Sequence, residues 1–162
     1  MKGYYQSPLG LISFSCDEKG LYGMMFTDKK ADEETLDPMV QSIQKSLEMY
    51  FNHQSLSFDC PLHFNFGTPF QKEVWQALLN IPYGKTKSYQ EVAQLIGRPL
   101  AMRAVGQACK KNPIGIIVPC HRVIGKDGSL TGYSGKNHID LKKKLLEHER
   151  MNPNESGKTQ EI

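Results

Sequence analysis

Between residues 68 and 113 the chain is cut by closely spaced helix-start and helix-stop signals, and only a series of brief helices fits between them. Thr68-Pro69-Phe70-Gln71 combines an N-cap threonine, a proline at the first helical position and a glutamine placed to complete a capping box. Phe70, Val74, Ala77 and Leu78 then line one face, and Ile81-Pro82-Tyr83-Gly84 stops the segment. Ser88-Tyr89-Gln90-Glu91 is a second capping box, opening a helix with Val92, Leu95 and Ile96 inside and Gly97 at its end. After Pro99, residues 100–111 form a further helix, closed by Asn112-Pro113 because the residue before a proline is pushed out of the helical region. Helix, short turn and helix in succession form a helix-turn-helix.

The first part of the chain has a different rhythm. Ile12, Phe14 and Cys16 alternate with Ser13 and Ser15, Asp17-Glu18-Lys19-Gly20 reads as a turn, and Leu21–Phe26 is a second apolar strand, together a hairpin. Asp37-Pro38 opens a helix whose stripe is Val40, Ile43, Leu47, Tyr50 and Phe51. That stripe reads as core, and no chemistry is evident there. Cys60 and His63 have ligand-like spacing, with Cys16 and His53 as conceivable partners, but the pairing is loose and an ordinary linker explains it; no metal is expected. Asn65-Phe66-Gly67-Thr68-Pro69 marks a boundary. The expected class is α+β: a small N-terminal α/β domain over 1–66 (β-hairpin sheet plus helix), a mainly helical domain over 67–150, and a flexible polar tail over 151–162.

Charge separates the same parts. Residues 1–64 hold 5 Lys/Arg against 9 Asp/Glu, residues 65–150 hold 14 against 6, and the tail holds 1 against 2. A basic helical module suits a polyanion such as nucleic acid, although a solvated basic face has the same composition. The 4 cysteines are scattered without a CxxC pair, which argues for reduced thiols. The absence of a signal peptide and of any run approaching a membrane span leads us to expect a cytoplasmic protein without membrane contact.

The apolar run Ile114–Val118 reads as a buried extended segment that delivers Pro119-Cys120-His121-Arg122-Val123 to a surface. An ordinary thiol is only a few per cent ionised at neutral pH, so a nucleophilic one needs a base or a positive field, and here an imidazole adjoins it. The plain alternative is a core cysteine that happens to precede a histidine. Leu141, Leu145 and Glu149 follow at i+4 spacing, which puts the Glu149 carboxylate on the apolar face of a last helix, with Glu147 and Lys143 on the wet side. A buried carboxylate needs a partner, either a structural ion pair or a base to orient.

The helix over 100–111 is poor in the side chains that read base edges. Ala101, Ala104, Gly106 and Ala108 make a small-residue surface that allows close approach to a minor groove, and Arg103 and Gln107 alone have reach. Packing is the competing explanation, since alanines also let helices approach each other.

From Thr68 to Glu149 these residues resemble the O6-alkylguanine-DNA alkyltransferases. The resemblance lies in Pro119-Cys120-His121-Arg122-Val123, Ser88-Tyr89-Gln90, Arg103-Ala104-Val105-Gly106, Asn112-Pro113, Gly132-Tyr133-Ser134-Gly135 and Leu145-Leu146-Glu147-His148-Glu149. It implies a ribonuclease-H-like N-terminal domain, a winged-helix-like C-terminal one, and a stoichiometric, irreversible repair reaction. In that reaction a monomer binds double-stranded DNA through the minor groove and flips the damaged base out. Cys120 then takes the alkyl group from O6-alkylguanine, and by extension from O4-alkylthymine, without a cofactor. By the same resemblance His121 is the base acting through a water, Glu149 orients it, and Tyr89 donates to the departing guanine. Asn112 ties the active-site turn, and Arg103 replaces the flipped nucleotide. Ser134 donates to O6, the carbonyls of Cys120 and Val123 read the exocyclic amine, and Tyr133 walls the pocket. Ala104, Arg122 and Gly135 join the substrate and DNA contacts. Lys136 stands where the family commonly has a second glycine, and Gly115 where proline is frequent, so the shape of the pocket mouth and the size of the accepted alkyl group stay open.

Two rival readings are a non-catalytic DNA-binding protein and a cysteine hydrolase. The presence of Cys120 weighs against a lesion sensor lacking the nucleophile, and the poverty of base-reading side chains weighs against a sequence-specific regulator. A hydrolase would place its histidine far from the nucleophile in sequence.

Overall fold

The computed structural model describes residues 1–29, 36–54, 58, 60–130 and 139–150. In chain order the elements are β1 (Lys2–Ser7), β2 (Gly10–Asp17), β3 (Gly20–Thr27), α1 (Pro38–Phe51), α2 (Pro69–Leu78), β4 (Lys87–Ser88), α3 (Tyr89–Leu95), α4 (Met102–Lys110), a 3-10 turn at Cys120–Arg122, β5 (Val123–Ile124) and α5 (Ile139–Arg150).

The sheet has three antiparallel strands in the order β1-β2-β3, one more than the hairpin read from the sequence. β1 escapes the alternation rule because Gly3 and Tyr4 are both buried in succession. At Gly3 the missing side chain is the point: a Cβ there would come within 2.5 Å of the Phe14 ring across the register pair Gly3↔Phe14. The β2–β3 turn needs Gly20, whose φ of +129° and approach to the Pro61 carbonyl leave no room for a Cβ. α1 packs on this sheet through Val40, Ile43, Leu47, Tyr50 and Phe51, all buried. Asp37 caps it by accepting from the Met39 N–H at 2.8 Å.

The second half follows its punctuation. Both capping boxes form: Thr68 and Gln71 exchange bonds of 3.1 and 3.0 Å, and Ser88 and Glu91 bonds of 3.0 and 2.8 Å. The buried face of α3 is Tyr89, Val92 and Ala93, continued by the half-buried Ile96, an i, i+3, i+4, i+7 set that turns Leu95 outward at 59% exposure. Leu95 is therefore not the interior residue expected. α2 buries Trp75, whose indole N–H donates to the Ala108 carbonyl of α4 at 2.8 Å.

A further correction concerns residues 114–118, which run as a buried turn and not as an extended segment. The Val118 N–H donates to the Ile114 carbonyl at 3.0 Å, and Ile116 sits at φ +72°. A β-branched residue held there costs on the order of 1–3 kcal/mol, so other bonds must enforce it. They do: the Asn112 side chain accepts from the Ile114 N–H at 2.9 Å and donates to the Val118 carbonyl at 2.8 Å, closing the loop. The same loop is tied to β3, where the Met24 N–H donates to the Pro113 carbonyl at 2.9 Å and the Gly115 N–H donates to the Met24 carbonyl at 3.0 Å.

No helix among the described residues is long and apolar enough to cross a membrane. No cluster of three or more His, Cys, Asp or Glu among them is arranged to hold a metal ion. His63 faces Asp17 at 3.0 Å, while His53 stacks on His148 with centroids 4.2 Å apart.

Candidate active site

Two devices fix the position of Cys120. The Asn112-clamped turn delivers it from one side, and β5 leaves it on the other, pairing in parallel with β4 through Lys87↔Val123 and Ser88↔Ile124. That pairing sets the first residue of α3, Tyr89, beside the Cys120 turn. The Cys120 side chain is 1% exposed, and Asn112 Nδ2 donates to its Sγ at 3.2 Å. Val123 is buried, and its N–H donates to the Cys120 carbonyl.

His121 is wholly buried, with Nε2 2.6 Å from Glu149 Oε2. Glu149 is the hub of the site. Its Oε2 also accepts from the Tyr50 hydroxyl at 2.6 Å and from Arg122 Nη2 at 3.0 Å, while Oε1 accepts from Arg122 Nε at 2.9 Å and from the Gly84 N–H at 3.1 Å. Burial works against ionisation of this carboxyl, but the charges and hydrogen bonds of His121 and Arg122 outweigh it and hold the group well below the usual carboxylate range. Burial likewise drives the His121 imidazole below its ordinary value; Glu149 opposes, and the cations Arg122 and Lys142 add to the depression. Glu149 is thus ionised opposite Arg122, and the neutral form of the imidazole donates its Nε2–H to Glu149. That tautomer leaves Nδ1 as the basic ring atom.

Burial also pushes the Cys120 thiol up to about 11, against the pull of Asn112 and of the Lys142 charge. Lys142 itself is fully buried. Its Nζ donates to the Tyr89 hydroxyl at 3.2 Å and lies 5.5 Å from the centre of that ring, which places the ammonium in the same pocket as the thiol and the phenol.

On the outside of α4, Arg103 and Ala104 are exposed, with Gln107 and Lys110 on the same surface. The small-residue face is narrower than read from the sequence. Ala108 is buried against Trp75, and Gly106 is turned toward the Tyr89 ring, so packing claims both. Arg122 also requires correction as a DNA contact: its guanidinium is spent on Glu149 and, through Nη1, on the Ile81 carbonyl at 2.7 Å, with 7% exposure. Tyr133, Ser134 and Gly135, together with Lys136, lie outside the described residues.

The sequence matches the model of the 6-O-methylguanine DNA methyltransferase ribonuclease-like domain over residues 1–64 and that of the DNA-binding domain over residues 69–151. The chain belongs to the 6-O-methylguanine DNA methyltransferase family. It is 46% identical over 153 residues to the methylated-DNA–protein-cysteine methyltransferase of Methanosarcina barkeri, covering 91% of this chain and 95% of that one. The constitutive enzyme of Bacillus subtilis is 48% identical over 114 residues, 70% of this chain and 68% of its own. Among solved structures, the Mycobacterium tuberculosis O6-methylguanine methyltransferase superposes with a TM-score of 0.80 at 42% identity over 94% of each chain. The M. tuberculosis protein in complex with DNA gives 0.81 at 41% identity over 93% of each.

Within this family member, sequence reasoning missed Lys142 and Tyr50. Lys142 is hidden in the run Lys142-Lys143-Lys144, although it stands seven residues before Glu149 and so on the same helical face. Tyr50 was read as one more core aromatic; nothing in residues 1–66 announces that its hydroxyl reaches a carboxylate 99 positions away. A cleft of about 400 Å³ lined by Phe58, Cys60, Leu62 and Tyr83 shares only Arg122 with the reactive cluster and does not include Cys120.

Proposed function

We propose that this protein repairs DNA by transferring the alkyl group of O6-alkylguanine, and of O4-alkylthymine, irreversibly to its own Cys120. The observation that carries the reading is that two adjacent residues are each held by a buried hydrogen bond, the Cys120 sulfur by Asn112 and the His121 ring by Glu149. The thiol proton passes to His121 Nδ1 through a water, since adjacent residues rarely face each other directly. The thiolate attacks the alkyl carbon, a carbon–sulfur bond forms, and the carbon–O6 bond breaks with its electron pair remaining on the guanine. The purine leaves neutral on accepting a proton from Tyr89, and the proton taken up by His121 is released to solvent as the tyrosine regains its own. The products are an S-alkylcysteine and an intact base, so the balance calls for no cofactor and one protein molecule serves one lesion.

The protein works as a cytoplasmic monomer on double-stranded DNA. Residues 67–150 bind the minor groove and residues 1–66 form a separate N-terminal domain, with 151–162 as a tail. Exposed Arg103 and Ala104 on α4 are the groups that enter the groove, Arg103 filling the place of the flipped nucleotide. Val123, Tyr133, Ser134 and Gly135 complete the base pocket.

Incubation with a duplex oligonucleotide containing O6-methylguanine, followed by intact mass and peptide mapping, tests this. The mass rises by one methyl group located on Cys120, and Cys120→Ala takes up none. An unchanged mass of the wild-type protein, or continued uptake by the variant, defeats the proposal.

A further inference from the structure

Tyr50 belongs to α1, which packs on the three-stranded sheet and carries no part of the thiol site, yet its hydroxyl donates at 2.6 Å to the same carboxylate oxygen that holds His121. We infer that Tyr50 is a positioning residue for alkyl transfer: its hydroxyl balances Glu149 and thereby sets how readily His121 takes the thiol proton. This rests on the reading given under Proposed function.

The ring has little freedom to point elsewhere. It is 1% exposed and lies edge-on to Phe51 and Tyr83, with centroids 4.9 and 5.7 Å away, and tilted against His148 at 5.5 Å. Burial and the neighbouring Glu149 charge keep the phenol protonated, so it always donates. Each donor on a carboxylate spreads its charge and lowers its proton affinity. Among the three donors on Oε2, Arg122 is also shared with Oε1, so Tyr50 is the one whose loss falls wholly on the oxygen facing His121. Removing it strengthens the hold of Glu149 on a protonated imidazole. His121 then charges at higher pH and is lost as a base sooner on acidification. The other charged groups acting on His121 remain: Glu149 and Lys142 from α5, and Arg122 from its own turn.

The test compares Tyr50→Phe with Phe51→Leu, which loosens the packing of the ring but keeps the hydroxyl. For Tyr50→Phe the acid limb of the rate profile moves up by about half to one pH unit, while the plateau rate of methyl transfer is kept or rises by about two- to threefold because the imidazole is the stronger base. Phe51→Leu lowers the melting temperature with the acid limb in place. NMR titration of the His121 ring in unreacted protein moves in the same direction as the acid limb and does not depend on activity. An acid limb and ring titration in Tyr50→Phe matching wild type overturn the inference even if the melting temperature drops. A wild-type protein that takes up no methyl group refutes the function instead, and the ring titration still decides the coupling.

Discussion

Glu149→Gln isolates the energetic core of the site. The carboxylate receives five hydrogen bonds, two of them from a guanidinium that is itself buried. The amide keeps the shape but loses the charge, and its NH2 group must face donors on one side. Leaving Arg122 buried without its counter-ion costs about 3–5 kcal/mol. At this chain length that corresponds to a fall in melting temperature of roughly 6–20 °C. Adding Arg122→Met removes the stranded charge, so the double variant is more stable than the sum of the singles by about 2 kcal/mol. Scanning calorimetry measures both. The pH dependence carries its own sign: Glu149 is depressed in the folded protein, so its stabilisation is complete above the ordinary carboxylate range, near pH ~4.3, and is lost as the pH falls below it. The gap between wild type and Glu149→Gln therefore narrows in acid. A single variant within about 1 kcal/mol of wild type, or strictly additive behaviour of the pair, refutes the central place given to the ion pair.

Two further outcomes follow from the neighbours of Tyr89. Lys142→Met removes the positive charge that lowers the Cys120 pKa, so the limb of the methyl-transfer profile governed by the thiol moves to higher pH and the rate at neutral pH falls by about three- to fourfold per unit of that shift; an unmoved limb speaks against the lysine's role. Gly106→Ala places a Cβ at 3.9 Å from two Tyr89 ring atoms, an ordinary contact, and removes a glycine from a helix interior, so thermal denaturation shows a gain of about 0.5–1 kcal/mol.

Local signals gave most of the helical half. Capping boxes at Thr68 and Ser88 and the prolines at 38, 69 and 113 act within a few residues, so they can be read without knowing the fold. The Cys120-His121 pair and the i+4 placement of Glu149 were legible for the same reason. What escaped depends on contacts distant in sequence. β1 is defined by Gly3 sliding under Phe14, the Ile114–Val118 turn by the Asn112 clamp, and the destination of Arg122 by the carboxylate of α5. An arginine beside the proposed nucleophile in a basic module looks like a phosphate ligand until the buried acceptor is located. Lys142 shows the limit of composition: three consecutive lysines suggest a wet face, but a helix turns one of them inward, where the Tyr89 hydroxyl and the thiols of Cys120 and Cys109 are among its neighbours.

A thiol pushed up to about 11 is on first count a poor nucleophile, and the magnitudes resolve the conflict. Two units above the reference value make the thiolate about 100-fold scarcer at neutral pH. The intrinsic reactivity of a thiolate rises with its basicity, by about six- to tenfold over two units for a Brønsted slope of 0.4–0.5. The net handicap is therefore only about tenfold, and a general base within reach of the proton recovers that and more. The recovery applies when a substrate carbon and a bridging water are both in place. Stray oxidants and electrophiles meet a buried, protonated sulfur, which protects a residue that can react only once. In the proposed reaction, burial that slows the free thiol tenfold and a His121–Glu149 pair that restores the rate on docking together favour the lesion over the solvent, and a surface cysteine with a low pKa would lack that discrimination.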